Sequence, residues 1–325
     1  MYINHIFLYI YVLPTLESTV YYIKTNLWLL GIPYGGSKIH LRFYILILPL
    51  IIMIVTESSF FVSRISLENF LELTQLAPCI CIGVLSLLKM TALSRKREKY
   101  FNLTESLNQL YDRILADSNK IQLVKRELIL VNILMKYFFV LNAVLITVYN
   151  FSTLAIVIIH YIKTNEMVFL LPYSVLLPFS TDAWIPWVGV YMHSVACGFI
   201  CVLFYTTVDG IYFVLTSHVC SNFRVISDMI EHLDVSNVST LGEIVKAHQY
   251  ILKLAEDLED IFTAPNLFNV LVGSLEICAL GFNLTKMPGS ILFIVSVLVQ
   301  ILMMSVFGEN IIAEVSRNNQ RSWWF

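Results

Sequence analysis

The chain has 325 residues, of which 58% are hydrophobic and only 14% are charged. A soluble globular protein has about 25% charged residues, and the mean hydropathy of +0.74 excludes a water-facing surface over most of the chain. The net charge of −2 gives no support to nucleic-acid binding by bulk charge. These quantities place the chain among integral membrane proteins.

The first 42 residues precede the first long apolar run, and we expect them to form a cytoplasmic N-terminal segment. Residues 1–13 are largely apolar, but no Lys or Arg occurs before Lys24. A secretory signal peptide has a basic start ahead of its apolar core. A segment lying at the membrane interface is therefore favoured over a cleaved signal.

Six apolar runs are long enough to cross about 30 Å of hydrocarbon as helices. These spans are predicted at residues 43–61, 70–88, 137–159, 187–208, 261–285 and 287–308. The first span contains Glu57, and the third and sixth contain no charged residue. The predicted fold is an all-α, polytopic membrane helical bundle, with a transmembrane domain over residues 43–316 and a cytoplasmic tail over 317–325.

Basic residues set the orientation, because loops rich in Lys and Arg stay on the cytoplasmic side. With the N-terminus inside, seventeen of the 21 Lys and Arg residues fall on the cytoplasmic side, including Lys89 just after the second span. Arg64, Lys163 and Lys286 fall outside, and Lys136 lies at the inner end of the third span. Six spans then place both termini in the cytoplasm.

Two cytoplasmic segments have apolar positions at three- and four-residue steps, which is typical of helices. One carries Leu103, Leu107, Leu110 and Ile114. The other enters the fifth span without a break and includes His248, Ile251, Leu252 and Leu258. Such stripes bury against another surface. We expect these helices to extend into a cytoplasmic anchor bundle that serves subunit assembly, with packing inside the single chain as the alternative.

Motifs of enzyme chemistry are absent: the sequence has no HExxH, no glycine-rich phosphate loop, no GxSxG and no paired cysteine motif. The six cysteines avoid the predicted outer segments and lack zinc-site spacing, so we expect no extracellular disulfide and no metal. We therefore expect neither an enzyme nor a cofactor. Ionisable residues in the spans are candidates for function. Among Glu72, Asp209 and Glu276, the last lies deepest, either as a functional group or paired with a polar neighbour.

Short motifs follow one another in a specific order along the second half of the chain. They are LPYSVLLPFSTDAWIPW (Leu171–Trp187) before the fourth span, Asp209 closing that span, His248 on the helix entering the fifth, and Gln300, Phe307-Gly308, Asn310 and Ser316 in the sixth. In this order they resemble the insect odorant receptor family, and the resemblance covers about residues 30 to 316. Ser180 stands where the family often has Asp.

The resemblance implies a seven-transmembrane, odorant-gated cation channel rather than a G-protein-coupled receptor. It implies a tuning subunit that forms a heterotetramer with a shared olfactory co-receptor in the plasma membrane of olfactory sensory neurons. The cytoplasmic helices would form the anchor, which assigns assembly to His248, Ile251, Leu252 and Leu258. The odorant pocket would lie in the outer half of the bundle, between the second, third, fourth and sixth spans.

Projected onto this sequence, the implied ligand-binding residues are Thr74, Tyr149, Thr153, Trp187, Tyr191 and Phe293. Tyr149 and Thr153 are four residues apart, as are Trp187 and Tyr191, so each pair shares one helix face. Burial and aromatic contact would supply the affinity for an apolar ligand. Ordinary packing is the alternative for each residue, and interfacial anchoring is a further one for Trp187.

In the family a seventh helix follows the sixth span, whereas this sequence ends at Phe325. The resemblance therefore implies a receptor truncated at its C-terminus. The expected function is an odorant receptor subunit that binds a small volatile apolar ligand and gates a cation channel together with a co-receptor. The alternatives are a truncated, non-conducting receptor remnant, a gustatory receptor of the same architecture, and a secondary transporter, for which no convincing inverted repeat is present.

Overall fold

A computed structural model describes residues 16–32, 38–66, 70–233, 240–284 and 290–322. Within these residues the chain forms eight α-helices and no strand. They are α1 (Leu16–Leu30), α2 (Leu41–Ser63), α3 (Phe70–Arg95), α4 (Arg97–Leu115), α5 (Ser118–Thr164), α6 (Trp184–Glu231), α7 (Leu241–Asn283) and α8 (Ser290–Ser322). The predicted interfacial segment at residues 1–13 lies outside the described residues.

Six of the described helices are long and apolar enough to cross a membrane, namely α2, α3, α5, α6, α7 and α8. The prediction of an all-α bundle with about six spans is confirmed. On α2, apolar side chains such as Ile45, Leu48 and Val55 point outward, whereas Met53 and Glu57 are buried. An outer surface of this kind suits contact with lipid, because polar groups in a membrane helix face the bundle interior.

Three helices are much longer than a bilayer requires. α5, α6 and α7 contain 47, 48 and 43 residues, which corresponds to about 65–72 Å at 1.5 Å per residue. The hydrocarbon core is about 30 Å thick, so each helix continues well beyond its predicted span. All three continue on the side of the bundle that contains α4. We call that side the basic half, and the side that contains the loop 165–183 the outer half.

The helix α3 is also longer than the sequence indicated. It continues through Lys89 to Arg95, and the side chain of Lys89 is fully buried. Lys89, predicted to lie just after the second span on the cytoplasmic side, is therefore a buried residue within a helix. The physical reason is a carboxylate partner on α6, Asp209, which allows an ammonium group to enter the bundle interior.

In the basic half, α4 lies against α7 through charged side chains. Lys96 contacts Asp260 at 2.8 Å, and Lys99 contacts Asp257 and Asp260 at 2.9 and 3.0 Å. Hydrogen bonds to Asp257 and Asp260 raise the pKa of Lys99 above its ordinary value. The apolar stripe of α4 is buried beneath this charged edge, as the amphipathic spacing predicts.

The residues predicted to serve assembly lie on the basic part of α7. Ile251 and Leu258 are buried within the chain, whereas His248 and Leu252 are half-buried. The ring of His248 packs edge-on against Phe223 of α6, with the centroids 6.1 Å apart. Packing inside the single chain, the alternative to assembly, thus accounts for Ile251 and Leu258.

α6 is the central helix of the basic half. Every residue from Phe204 to Phe223 is buried, so the helix is surrounded on all sides. Phe213 packs between Phe138 of α5 and Phe307 of α8, with centroids 5.7 and 4.9 Å away. Aromatic pairs at these separations add to the stabilisation that burial alone provides.

Candidate ligand-binding cavity

The outer half contains a cavity of about 100 Å³ lined by residues of α2, α3, α5, α6, α7, α8 and the loop 165–183. Most of its wall is apolar, formed by Leu50, Met53, Ile54, Ile82, Leu85, Leu145, Ile146, Val202, Phe293 and Val297. An apolar cavity with a few polar groups is the usual form of a small-molecule site. An engineered cavity that binds benzene measures about 150 Å³, so this smaller cavity suits only a small organic molecule.

Three aromatic rings form the roof of the cavity. The ring of Tyr149 on α5 lies 5.2 Å from Phe293 on α8 and 5.3 Å from Tyr173 in the loop, measured between centroids. The hydroxyl groups of the two tyrosines have protein partners: Tyr149 contacts the Cys79 Sγ at 3.4 Å, and Tyr173 donates to the Asn150 Oδ1 at 2.9 Å. The rings are therefore held in place and present their apolar surfaces to the cavity.

The loop 165–183 packs closely against α6 at a position that is occupied by a glycine. A Cβ atom at Gly198 would lie 2.6 Å from the Tyr173 hydroxyl oxygen and 3.0 Å from the Asn150 Nδ2. At the first distance a Cβ would force Tyr173 or the backbone to shift, so glycine allows Tyr173 to reach α5 in its present position. A second attachment comes from Leu176, whose backbone N–H donates to the carbonyl oxygen of Thr56 on α2 at 3.1 Å.

A polar layer forms the floor of the cavity. Tyr205 of α6 donates a hydrogen bond to the Asn142 Oδ1 on α5, and Ser296 of α8 donates to the same oxygen at 3.3 Å. Gln300, also on the cavity wall, donates to the Asp209 Oδ2 at 2.6 Å. The floor is thus bonded to groups that lie deeper in the bundle.

Beneath the floor is a buried ion pair. The Lys89 ammonium donates to both carboxylate oxygens of Asp209, at 2.7 and 2.9 Å, and it lies 5.3 Å from the centre of the Tyr205 ring. Asn269 of α7 donates to the Asp209 Oδ1 at 3.1 Å. A buried ion pair is stable only when further hydrogen bonds satisfy its remaining atoms, and here they come from α7 and α8. The network therefore joins α3, α6, α7 and α8 directly below the cavity.

Two carboxyl groups line the cavity wall. Glu57 of α2 is 3% exposed, and it follows Leu50 and Met53 on the face of α2 that points into the bundle. Glu276 of α7 is 2% exposed, and within the described residues its Oε1 has no hydrogen-bond partner. Among the described lining residues there is no Lys, Arg or His. The cavity therefore carries acidic groups without a basic one.

The structure brings two of the sequence-predicted ligand residues to the cavity, Tyr149 and Phe293. Trp187 and Tyr191 are buried in a separate apolar cluster near the outer end of α6. There the Trp187 Nε1 donates to the Leu170 carbonyl oxygen at 2.9 Å, and the Tyr191 hydroxyl donates to the Asn150 carbonyl oxygen at 2.6 Å. These two side chains hold the loop and α5 against α6.

The two threonines occupy other positions. Thr74 is buried on α3, one turn before the cavity-lining part of that helix begins at Cys79. Thr153 is half-buried on α5, one turn beyond Tyr149. Neither residue is part of the described cavity wall.

Sequence reasoning did not select Glu57, Asn142, Tyr173 or Tyr205 as site residues. A signal existed for Glu57, because it shares a helix face with Leu50 and Met53 inside a span that otherwise lacks charge. Asn142 and Tyr205 lie on different helices, and only their contact in the folded bundle reveals them. Tyr173 belongs to a loop, where no periodicity indicates which side chain turns inward.

A family model described as 7tm Odorant receptor matches residues 69–317. The chain belongs to the odorant receptor family. This membership makes the protein a multi-pass membrane receptor and not an enzyme, as the sequence predicts.

Similar proteins agree with this family. Putative odorant receptor 92a of Drosophila melanogaster is 25% identical over 297 residues, which cover 85% of this receptor and 72% of that protein. Odorant receptor 67c of the same organism is 23% identical over 285 residues, covering 81% of this receptor and 68% of that protein.

Two solved structures share the fold. The insect olfactory receptor OR5 from Machilis hrabei matches with a TM-score of 0.68 and 12% identity, over 94% of this receptor and 89% of that chain. The same protein in complex with eugenol matches with a TM-score of 0.68 and 14% identity, over 94% and 90%. At these identities the likeness extends to the fold alone.

Proposed function

We propose that this odorant receptor binds a small volatile ligand in the outer cavity, and that binding gates a cation channel formed together with an olfactory co-receptor. The observation that carries the proposal is the largely apolar cavity between Tyr149, Phe293 and the polar floor. The solved complex of the Machilis receptor with eugenol supports a small organic molecule as the class of ligand. Burial of the apolar part of the ligand supplies most of the affinity, at about 25 cal/mol per Å² of apolar surface.

Ligand contact is assigned to the roof and the floor of the cavity. Tyr149 and Phe293 provide aromatic surface, and Tyr205 provides a polar group at the opposite end. Trp187 and Tyr191 act as positioning residues, because their hydrogen bonds fix the loop that carries Tyr173. Thr74 and Thr153 remain candidates on the strength of the resemblance, and a ligand larger than the present cavity would reach toward them.

The polar floor of the cavity could couple ligand binding to a movement of the helices that form the channel. Tyr205 and Gln300 contact the cavity and also belong to the bonded layer above the Lys89–Asp209 ion pair. A ligand that displaces either side chain changes hydrogen bonds shared by α6, α7 and α8. A helix movement coupled to binding requires such a difference in contacts between two states.

Assembly with the co-receptor is assigned to the basic half, which we place in the cytoplasm on the positive-inside rule. Olfactory sensory neurons are the cell type that the family resemblance implies. Between α6, α7 and α8 lies an open groove of about 490 Å³, whose wall includes Leu252, Leu258, Ile311 and Val315. An apolar groove outside the membrane suits contact with another subunit. His248 lies one helical turn before Leu252, and both side chains are half-buried and accessible to a partner. Ile251 and Leu258 are buried, and Leu258 forms a deep part of the groove wall.

The test is to co-express the receptor with an olfactory co-receptor and to record currents evoked by a broad odorant panel. We expect cation currents that require both subunits. With Phe293→Ala, the concentration for half-maximal current should rise about tenfold or more, because an aromatic wall of the cavity is lost.

Val295→Ala is the matched control, since Val295 lies on the same helix and faces outward. It should leave the concentration dependence unchanged. Absence of current across the panel, with both subunits at the cell surface, would contradict the gating proposal. An equal effect of both substitutions would contradict the location of the site.

A further inference from the structure

Glu57 lies at a position where a carboxyl group is costly. Its side chain is 3% exposed, it lies on a membrane helix, and it lines the cavity. Within the described part of the chain, no cation and no hydrogen-bond donor pairs with it. A buried polar group without a partner is unfavourable, and a buried charge without one is more so. An ionisable residue in such a place marks a functional site by default.

The surroundings do not supply a positive charge. Glu276 lines the same cavity and also has an oxygen without a hydrogen bond in the described residues. The ammonium group of Lys89 is already bonded to both oxygens of Asp209 below the floor. The cavity and its floor therefore hold three acidic side chains and one basic side chain among the described residues.

The roof of the cavity provides a second feature that suits a cation. The rings of Tyr173 and Phe293 each lie within 5.3 Å of the ring of Tyr149, measured between centroids. Aromatic faces attract ammonium groups, and the attraction grows when both partners are removed from water. A carboxylate combined with aromatic walls is an arrangement that recognises amines.

We propose that the ligand of this cavity is a small primary amine with an apolar body, whose ammonium group pairs with Glu57. The inference rests on the proposed function, since it names the ligand class for the same cavity. The cavity of about 100 Å³ limits the apolar body to at most one aromatic ring, since an engineered cavity that binds benzene measures about 150 Å³. The amine completes the site, because it gives Glu57 the partner that the described part of the protein does not provide.

The inference is tested by binding to the purified full-length receptor in lipid nanodiscs, measured as the shift in thermal unfolding temperature. The ligands are benzylamine, benzyl alcohol, benzaldehyde and toluene, which share one ring and differ in the polar group. Benzylamine should bind at least about tenfold more tightly than benzyl alcohol, because a hydrogen bond between charged groups is stronger than a neutral one. Equal or tighter binding of the alcohol or the aldehyde would overturn the inference.

A substitution of Glu57 then tests whether this residue is the source of the preference for benzylamine. Glu57→Gln keeps the size of the side chain and removes its charge, so it should abolish the preference for benzylamine over benzyl alcohol. Glu166→Gln removes an exposed charge in the outer loop and should leave both affinities unchanged. The unfolding temperature without ligand shows whether Glu57→Gln is folded, and the comparison of ligands on the unsubstituted receptor stands without it.

The same ligands separate this inference from the proposed function. If the neutral compounds bind and evoke currents with the co-receptor while benzylamine does neither, the ligand class is wrong and the cavity is still the site. If no compound of the series binds and no odorant evokes a current, the proposed function fails and the inference fails with it. Retention of the amine preference in Glu57→Gln would remove Glu57 from the site.

Discussion

The outer and basic halves of the bundle use the same helices in different ways. In the basic half, α6 is buried on every side from Phe204 to Phe223, and its aromatic side chains fill the space between α5 and α8. In the outer half, the same helix is one wall of a cavity that also exposes Glu57 and Glu276. The close-packed half stabilises the bundle, and this allows the other half to keep an unfilled and acidic site.

The boundary between the halves is the buried network below the cavity. Lys89 and Asp209 form its centre, and Asn269 and Gln300 add hydrogen bonds from two further helices. These hydrogen bonds hold four helices together directly below the cavity. The helices therefore stay in place although the cavity itself is not filled by side chains. The comparison between the halves therefore predicts where substitutions are costly and where they change function.

The largest expected effect is at this boundary. Lys89→Met leaves the Asp209 carboxylate buried without its cation, which should destabilise the receptor by about 3–5 kcal/mol. Thermal unfolding and the amount of receptor at the cell surface measure the loss. The double variant Lys89→Met with Asp209→Asn should recover most of it, because the amide oxygen can still accept from Asn269 and Gln300. A double variant as unstable as the single one would contradict the role assigned to the ion pair.

The next largest loss of stability is expected in the basic half, and a pair of phenylalanine substitutions compares the two halves directly. Phe213→Ala removes a ring packed between Phe138 and Phe307, and it should cost about 3–5 kcal/mol of stability. Phe293→Ala removes a ring that borders empty space, so its cost should be smaller while its effect on ligand affinity is larger. Unfolding temperatures and concentration–response curves of both variants test this. Equal destabilisation would show that the outer half is as closely packed as the basic half.

A smaller effect is expected at the loop. Gly198→Ala places a Cβ against the Tyr173 hydroxyl group and should destabilise the receptor by about 1–3 kcal/mol. Ligand affinity should fall as well, because Tyr173 belongs to the roof. Gly189→Ala is the control: a Cβ at this position would have no atom within 4 Å outside its own helix turn, and alanine should stabilise the helix slightly. Unchanged affinity in Gly198→Ala would remove Tyr173 from the site.

The smallest effect is expected at the charged edge of α4. Lys99→Met removes contacts to Asp257 and Asp260 that are open to solvent, so the loss should stay within about 1 kcal/mol. Because the pKa of Lys99 is raised above 10.5, its contribution is present below that pH and is lost only as the pH rises through the higher value. Unfolding measured between about pH 6 and pH 9 should show a constant difference from the unsubstituted receptor.

The fold follows from the sequence because apolar runs and periodicity are local properties. The spans and the continuous helix α7 needed no tertiary information. Lys89 shows where this reasoning stops: a lysine at the end of an apolar run indicates a membrane boundary, unless a carboxylate from another helix is present to accept it. The partner, Asp209, is 120 residues away, and no local pattern connects the two.

The ligand site was predictable only in part, because local sequence patterns do not show which side chains from different helices meet. Tyr149 and Phe293 lie on helix faces that point to the bundle interior, and the resemblance selected both. The spacing of Trp187 and Tyr191 correctly implies one shared face, but that face packs against the loop and α5 rather than the cavity. Which part of a buried face borders a cavity depends on helix rotation and on loop packing, and the sequence pattern sets neither.

The most direct test of the account is an electron cryo-microscopy structure of the receptor with a bound ligand that evokes current. The account predicts ligand density in the outer cavity, in contact with Tyr149 and Phe293 and with its polar group toward Glu57. Density beside Trp187 and Tyr191, or in the groove between α6, α7 and α8, with the outer cavity empty, would contradict it.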